Sequence, residues 1–228
     1  MLFRQLFDQE SSTFSYLLAD EKSKEAVILD PVREKYPRDS KLIKELGLSI
    51  KYVIETHIHA DHITSAASFV RDFGATIVVG KNSGLKAPHH EVSDGDFLSF
   101  GSCRLKALWT PGHTDSSFSF LIGHMVFTGD LLFVRGTGRT DFQNGSSSDL
   151  LKSIREKIFS LPDETEIYPG HDYQGFSKST VFEEKNFNPR VGLQISDERF
   201  HEIMQNLKLA PPKKINEAVP ANLKAGDI

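Results

Sequence analysis

A chain of 228 residues with 39% hydrophobic and 25% charged side chains can bury a full core, and its composition fits neither a disordered nor a fibrous protein. The formal net charge of -4 gives no overall basic field, which argues against nucleic acid as a partner. The single cysteine, Cys103, excludes an internal disulfide framework, and no apolar run approaches the ~20 residues of a membrane-spanning helix. No targeting segment is visible ahead of Leu2, so the expected compartment is the cytoplasm, with a processed mitochondrial form as the alternative.

In chain order, strands are predicted over residues 2–7, 13–18 and 25–31, a meander broken by the charged turn at residues 20–24. Apolar spacing over 40–46, stopped by Gly47, predicts a helix. A short buried strand over 51–55 follows, then a helix over 65–73 ended by Gly74, then a strand over 75–80. Strands near 96–100, 103–110, 117–122 and 124–128 make a second meander, with a hairpin at Gly123 and His124. A helix over 149–159, capped near Ser147 and Ser148, leads to a strand at Ile167 and Tyr168. A late helix is expected around 198–207. From about 211 the chain is expected to be an irregular tail, although Val219-Pro220-Ala221-Asn222 could pack. Residues 1–228 are expected to form a single catalytic domain.

The segment Thr56-His57-Ile58-His59-Ala60-Asp61-His62-Ile63-Thr64 lies between a predicted strand and a predicted helix, and its density of imidazole and carboxylate groups points to a metal centre. Extended backbone sends residues i and i+2 to one side, so His57 and His59 can face a common centre while Asp61 and His62 turn in from the helix start. Three later apolar runs also end in a glycine followed by a ligand-type residue: Gly112-His113, Gly129-Asp130 and Gly170-His171. Ligands at the ends of several strands are how a layered α/β scaffold gathers a site from distant parts of the sequence. After Asp130, the stretch from Leu131 to Gln143 holds Arg135, Gly136, Gly138, Arg139 and Asp141, a composition suited to wrapping a polar anionic molecule.

His-x-His-x-Asp-His followed by His, Asp and His at strand ends resembles the metallo-β-lactamase superfamily, which implies a single-domain α/β fold, an αββα sandwich. That motif set can hold two metals, with His57, His59 and His113 on one, Asp61, His62 and His171 on the other, and Asp130 bridging. A finer resemblance rests on Arg135-Gly136-x-Gly138-Arg139-Thr140-Asp141-Phe142-Gln143, on Ile167-Tyr168-Pro169-Gly170-His171-Asp172-Tyr173-x-Gly175-Phe176, on Glu184 with Asn188-Pro189-Arg190, and on Val219-Pro220-Ala221-Asn222. These are similar to the persulfide (sulfur) dioxygenases of the ethylmalonic encephalopathy protein type, over nearly the whole chain.

That resemblance implies an iron-dependent enzyme that oxidises glutathione persulfide with O2 to sulfite and glutathione. It implies one Fe(II) per chain held by His57, His113 and Asp130, a facial arrangement that leaves coordination positions open. His59, Asp61, His62 and His171 would then orient ligands and waters by hydrogen bonds. Arg139 and Tyr173 are the candidates for holding the glutathione carrier, and Arg190 is expected to be either a further contact or a structural partner of Glu184. Thr137 and Ala225 stand where the human relative has cysteines, so the persulfide is expected from an enzyme on a separate chain, and Cys103 is expected to be a small core residue. A homodimer is compatible with the sequence. His89, His90, His124 and His201 are expected to be structural or solvent-facing. The alternatives are a zinc thioesterase of the glyoxalase II type acting on S-acyl glutathione, for whose longer C-terminal region the residues after 191 leave little room, a zinc lactonase, and a non-catalytic metal-binding module.

Overall fold

The N-terminal residues, with the apolar pairs Leu2-Phe3 and Leu6-Phe7, form β1 (Leu2–Asp8), which pairs antiparallel with β2 (Thr13–Ala19), and β2 in turn pairs antiparallel with β3 (Glu25–Leu29). In the computed structural model, which describes residues 1–212 and 214–227, the chain divides into two compact units, Met1–Val92 with Phe97–Leu105 and Ala210–Ile228, and Ser93–Asp96 with Lys106–Leu209. The sheet of the first unit continues in parallel through β4 (Ser49–Ile54), β5 (Thr76–Gly80) and β6 (His90–Val92), in the order β1-β2-β3-β4-β5-β6.

Parallel neighbours require crossovers, and helices supply the first two, from β3 to β4 and from β4 to β5. The first, α1 (Tyr36–Glu45), begins earlier than residue 40 because Pro37 occupies its first turn, where a fixed φ and a missing N–H cost nothing. The second, α2 (Ala66–Phe73), stops at Gly74, whose φ of 68° closes the helix in the left-handed region. Ile43 of α1 and Phe69 of α2 pack with Leu17, Ile28, Val53 and Ile77 of the strands. Tyr16, Leu18, Val27, Leu29 and Val78 on the other face of the sheet are buried as well, which is why β2 reads as an unbroken apolar run.

After β7 (Phe97–Phe100), strand β8 (Cys103–Trp109) starts in the first unit and runs on into the second. There it is followed by β9 (Phe118–Ile122), β10 (Met125–Gly129) and the short hairpin β11 (Leu132–Phe133) with β12 (Gly136–Thr137). The predicted helix over 149–159 is α3 (Ser147–Ser153), capped by Ser146, whose hydroxyl accepts from the Asp149 N–H, and continued by a π-helical turn over Ile154–Ile158. Then come β13 (Glu166–Pro169), β14 (Ser179–Thr180), α4 (Val181–Phe187) and α5 (Asp197–Gln205). The strands of this unit lie in the order β14-β13-β10-β9-β8, with β10 and β13 parallel. Leu150, Ile154 and Ile158 of the α3 segment, Val181 of α4 and Phe200 of α5 pack on Val126 and Ile167.

The predicted irregular tail differs from what is found. Residues Ile215–Asn222 form a helix, α6, in the first unit. The prolines misled because Pro211 and Pro212 precede the helix, while Pro220 sits inside it. Lys213 and Ile228 of that tail lie outside the described residues. Among the described residues no helix is long and apolar enough to cross a membrane.

At the end of β1, Asp8 accepts hydrogen bonds from the Ser11 N–H and hydroxyl at 3.0 and 2.6 Å and pairs with Lys35 Nζ at 3.1 Å. Burial alone would raise the pKa of Asp8, but the bonds from Ser11 and Lys35 outweigh it and hold the carboxyl down at about 2. A depressed folded-state pKa contributes stability that is present above the unfolded value of about 3.9 and lost as pH falls through the folded value. Asp8→Asn should therefore lower unfolding stability by a constant amount near neutral pH. In urea titrations the gap between variant and parent should shrink between about pH 4 and pH 2, and a gap that grew over that range would assign the wrong sign to Asp8.

Candidate metal centre

In the first unit a cluster of ligand-type residues is built where β3 and β4 end side by side. Leu29 pairs with Ile54, so the residue after β3 meets the loop after β4. Asp30 has a φ of 47°, a left-handed conformation that aspartate tolerates better than most residues. Its carboxylate accepts from the Thr56 N–H at 2.7 Å and from the Thr56 hydroxyl at 2.9 Å. With its proton committed to Asp30, the Thr56 oxygen accepts from His57 Nδ1, 3.0 Å away. His57 is thereby set in the tautomer whose Nε2 carries the lone pair a metal would take.

His59 is treated differently. Its Nε2 lies 3.1 Å from Asp30 Oδ1 and 3.2 Å from Glu55 Oε2. Burial lowers its pKa, but the Asp30 and Glu55 carboxylates raise it further, and the net result is well above the ordinary imidazole value. Burial likewise pushes Glu55 up against the opposing pull of His59, and Glu55 Oε1 accepts from the Thr64 hydroxyl at 2.5 Å. His59 Nδ1 is buried without a hydrogen-bond partner among the described residues. The His57 and His59 ring centroids are 4.2 Å apart.

His62 Nδ1 is 2.9 Å from Asp61 Oδ2 and 3.5 Å from the Thr13 hydroxyl. Its Nε2 is buried without a hydrogen-bond partner among the described residues. His59, Asp61 and His62 offer ligand-type atoms within 4.8 Å of one another, and so do Asp30, Glu55 and His59. The loop thus carries more ligand capacity than one metal uses.

The second unit repeats the logic with β10 and β13. These parallel strands end together, Gly129 beside Pro169, and release Asp130 and His171 next to each other. His171 Nε2 is 3.4 Å from Asp130 Oδ1, and His113 Nε2 is 3.6 Å from Asp130 Oδ2. His113 Nδ1 donates to the carbonyl of Arg139 at 2.8 Å, which again leaves Nε2 with the lone pair. Asp130 Oδ1 is buried without a hydrogen-bond partner among the described residues. Two glycines make the crowding around Asp130 possible. A Cβ at Gly138 would fall 1.9 Å from the Asp130 carbonyl oxygen, and one at Gly170 would fall 2.6 Å from Asp130 Oδ1.

The carrier candidates lie in the same unit. Arg139 makes a bidentate pair with Asp141, at 2.6 and 2.7 Å, and its guanidinium sits 4.6 Å over the Phe142 ring. With Thr140, Asp141, Ser147, Met204, Gln205 and Leu207 it lines a cavity of about 240 Å³. Tyr173 is 69% exposed and stacks on His171 at 5.8 Å, so it is no core tyrosine. Arg190 does not pair with Glu184; the buried Glu184 is taken by Arg135, and Arg190 donates to the Thr137 carbonyl at 2.8 Å. Cys103 is half-buried at the start of β8 rather than in the core, and burial, followed by the Asp20 carboxylate, pushes its thiol pKa up. Of the remaining histidines, His89 bonds the Ala87 carbonyl, His201 bonds Ser147, and the His124 side chain is 69% exposed. Asp30, Glu55 and Thr56 escaped notice in the sequence. The Asp30-Pro31 pair at a strand end was the available signal for the first of them.

Residues 9–171 match the family model of the metallo-beta-lactamase superfamily. The chain is 49% identical to "Persulfide dioxygenase ETHE1, mitochondrial" of Homo sapiens, over 99% of this chain and 89% of that protein. A crystal structure of ETHE1 from Myxococcus xanthus is similar with a TM-score of 0.96 and 50% identity, covering 99% of this chain and 100% of that one. A probable hydroxyacylglutathione hydrolase of Schizosaccharomyces pombe is 34% identical over 74% of this chain and 66% of its own length. The chain therefore belongs to the metallo-β-lactamase superfamily and, within it, to the persulfide dioxygenases of the ETHE1 type.

Proposed function

We propose that this chain is a persulfide dioxygenase that holds one ferrous ion with His57, His113 and Asp130 and converts glutathione persulfide, O2 and water to glutathione and sulfite. The observation that carries the activity is the near-complete match to the human persulfide dioxygenase, at 49% identity over 99% of the chain. The donor set supports the metal assignment. His57 and His113 are fixed through Nδ1 with Nε2 as the ligand atom, and Asp130 has a buried oxygen without a hydrogen bond among the described residues. Two neutral imidazoles and a carboxylate suit Fe(II) in oxygen chemistry.

Bound there, iron would supply the redox partner and open positions at which sulfur and dioxygen can meet. The outer sulfur is oxidised to the level of sulfite, dioxygen takes up the electrons and provides two oxygens, water provides the third, and glutathione leaves as the thiol. The residues of the chain position the reactants. Thr56 and Asp30 hold His57, the Arg139 carbonyl holds His113, and Asp30 and Glu55 hold His59. Arg139 and Tyr173 take the carboxylates and polar groups of the carrier, while Asp61, His62 and His171 orient what the metal binds. Residues 1–228 act as one catalytic domain in this reading. The cytoplasm, a homodimer and a separate persulfide-producing enzyme complete it, whereas the human, bovine and mouse relatives are named as mitochondrial.

Protein purified without oxygen should contain about one iron per chain, and alanine at His57, His113 or Asp130 should abolish iron retention. His59→Ala should keep part of the iron and lose activity. Two zinc ions per chain, with thioester hydrolysis and no oxygen uptake, would instead establish the thioesterase.

Because Asp141 occupies the Arg139 guanidinium, substrate binding has to part that pair. Arg139→Ala should raise KM for glutathione persulfide by about tenfold or more, the loss of about 1.5–3 kcal/mol from one charge-assisted contact, with little change in iron content. Asp141→Asn should lower KM; if neither variant moves KM, Arg139 has no part in carrier binding.

Cys103, with its raised thiol pKa, is a poor nucleophile. Cys103→Ser should retain most turnover, with sulfite formation still coupled to oxygen uptake. A folded, iron-loaded Cys103→Ser that takes up no oxygen would make the thiol an obligatory sulfur carrier.

A further inference from the structure

The loop from Glu55 to Ser65 is buried at every residue except Asp61, which is only partly exposed. It is neither helix nor strand over most of that length, so its backbone N–H and C=O groups depend on partners outside regular secondary structure. Some are met by the segment after β3, where the Arg33 N–H donates to the Ile63 carbonyl at 2.8 Å and the Ser65 N–H to the Pro31 carbonyl at 2.9 Å. The central ones are met by a single side chain from the far end of the sequence. Asn222, at the last position of α6 and 3% exposed, donates through Nδ2 to the carbonyls of His59 and His62 at 2.9 and 2.8 Å and accepts from the Thr64 N–H at 2.9 Å.

The segment around Asn222 is shaped to bring it there. Ala218 and Ala221 of α6 form a small apolar cluster with Ile63 of the loop. Beyond the helix, the Ala67 N–H donates to the Ala225 carbonyl at 3.0 Å. The backbone of Gly226, at φ 78°, passes so close that a Cβ there would lie 2.0 Å from the Thr64 carbonyl oxygen.

We propose that Asn222 is a positioning residue for the metal centre. Its carboxamide locks the path of the loop between His57 and Thr64, and the C-terminal helix α6 thereby governs how firmly the metal is held. This one side chain satisfies three backbone groups of the loop. The chemistry explains the residue type. Aspartate has the same shape but no donor, and it would set a carboxylate against two carbonyl oxygens; serine or alanine is too short to bridge them. This inference rests on the assignment of His57 as a metal ligand.

The test compares Asn222→Asp and Asn222→Ser with the parent and with Ile43→Ala, a variant of the buried α1 core whose destabilisation is unrelated to the loop. The iron-loaded proteins are mixed with a chelator without oxygen, the rate of iron release is followed, and the absorption bands of the cobalt(II)-substituted proteins are recorded. Both Asn222 variants should release iron about tenfold faster or more, with shifted cobalt bands, while Ile43→Ala, even at a lower melting temperature, should release iron like the parent. Release within twofold of the parent, or release that follows melting temperature equally in all variants, would overturn the proposal. If the Asn222 variants do not fold, hydrogen exchange on the parent decides: the Thr64 amide should be protected without metal, and rapid exchange there would also overturn it. A parent that binds no iron while its Thr64 amide is protected would leave the clamp standing and remove the metal assignment instead.

Discussion

The Asp30 carboxylate is the anchor of the metal loop. It is buried, with 1% of its surface exposed, and an unpaired charge in that position would be strongly unfavourable. Two hydrogen bonds from Thr56 and the contact with His59 Nε2 compensate it. Removing any one partner would leave the others buried and uncompensated, which costs more than the pair itself contributes. The same bonds hold Thr56 in the orientation that fixes the His57 tautomer. The ligand geometry of the loop is therefore a consequence of satisfying one buried acid.

Topology makes that anchor available. In a parallel pair both strands point the same way, so the residues that follow them emerge together. β3 and β4 bring Asp30 to Thr56 in this manner, and β10 and β13 bring Asp130 to His171. Electrostatically the two places differ. In the first unit, two carboxylates flank the His59 Nε2. In the second, Asp130 faces His113 and His171, and its buried Oδ1 has no hydrogen bond among the described residues. A carboxylate so placed is suited to a divalent cation, and neutral imidazoles are suited to share it.

Much of this was legible in the sequence because strand and helix periods are local properties. The meander of β1, β2 and β3, the Gly74 stop of α2 and the hairpin between β9 and β10 were all predicted close to where they occur. Ligand-type residues were equally visible, since each follows an apolar run. What remained hidden is either short or non-local. β11, β12 and β14 hold too few residues for a period, and α4 is announced only by Thr180, whose hydroxyl accepts from the Glu183 N–H. Pairings of Asp141 with Arg139 and of Arg135 with Glu184 could not be ranked over others by spacing. The helix α6 was concealed by prolines, and the bonds from Asn222 to the loop span about 160 positions of sequence, far beyond any local pattern.

Arg139 takes part in two places at once. Its carbonyl orients His113, and its side chain lines the cavity beside Asp141. Both depend on the path of the strand that precedes it, which presses Gly138 against the Asp130 backbone so closely that no side chain fits. Any substitution that moved this strand would displace the His113 orienting group, the Asp130 backbone and the Arg139 guanidinium together. The glycine and the arginine thus act as one unit.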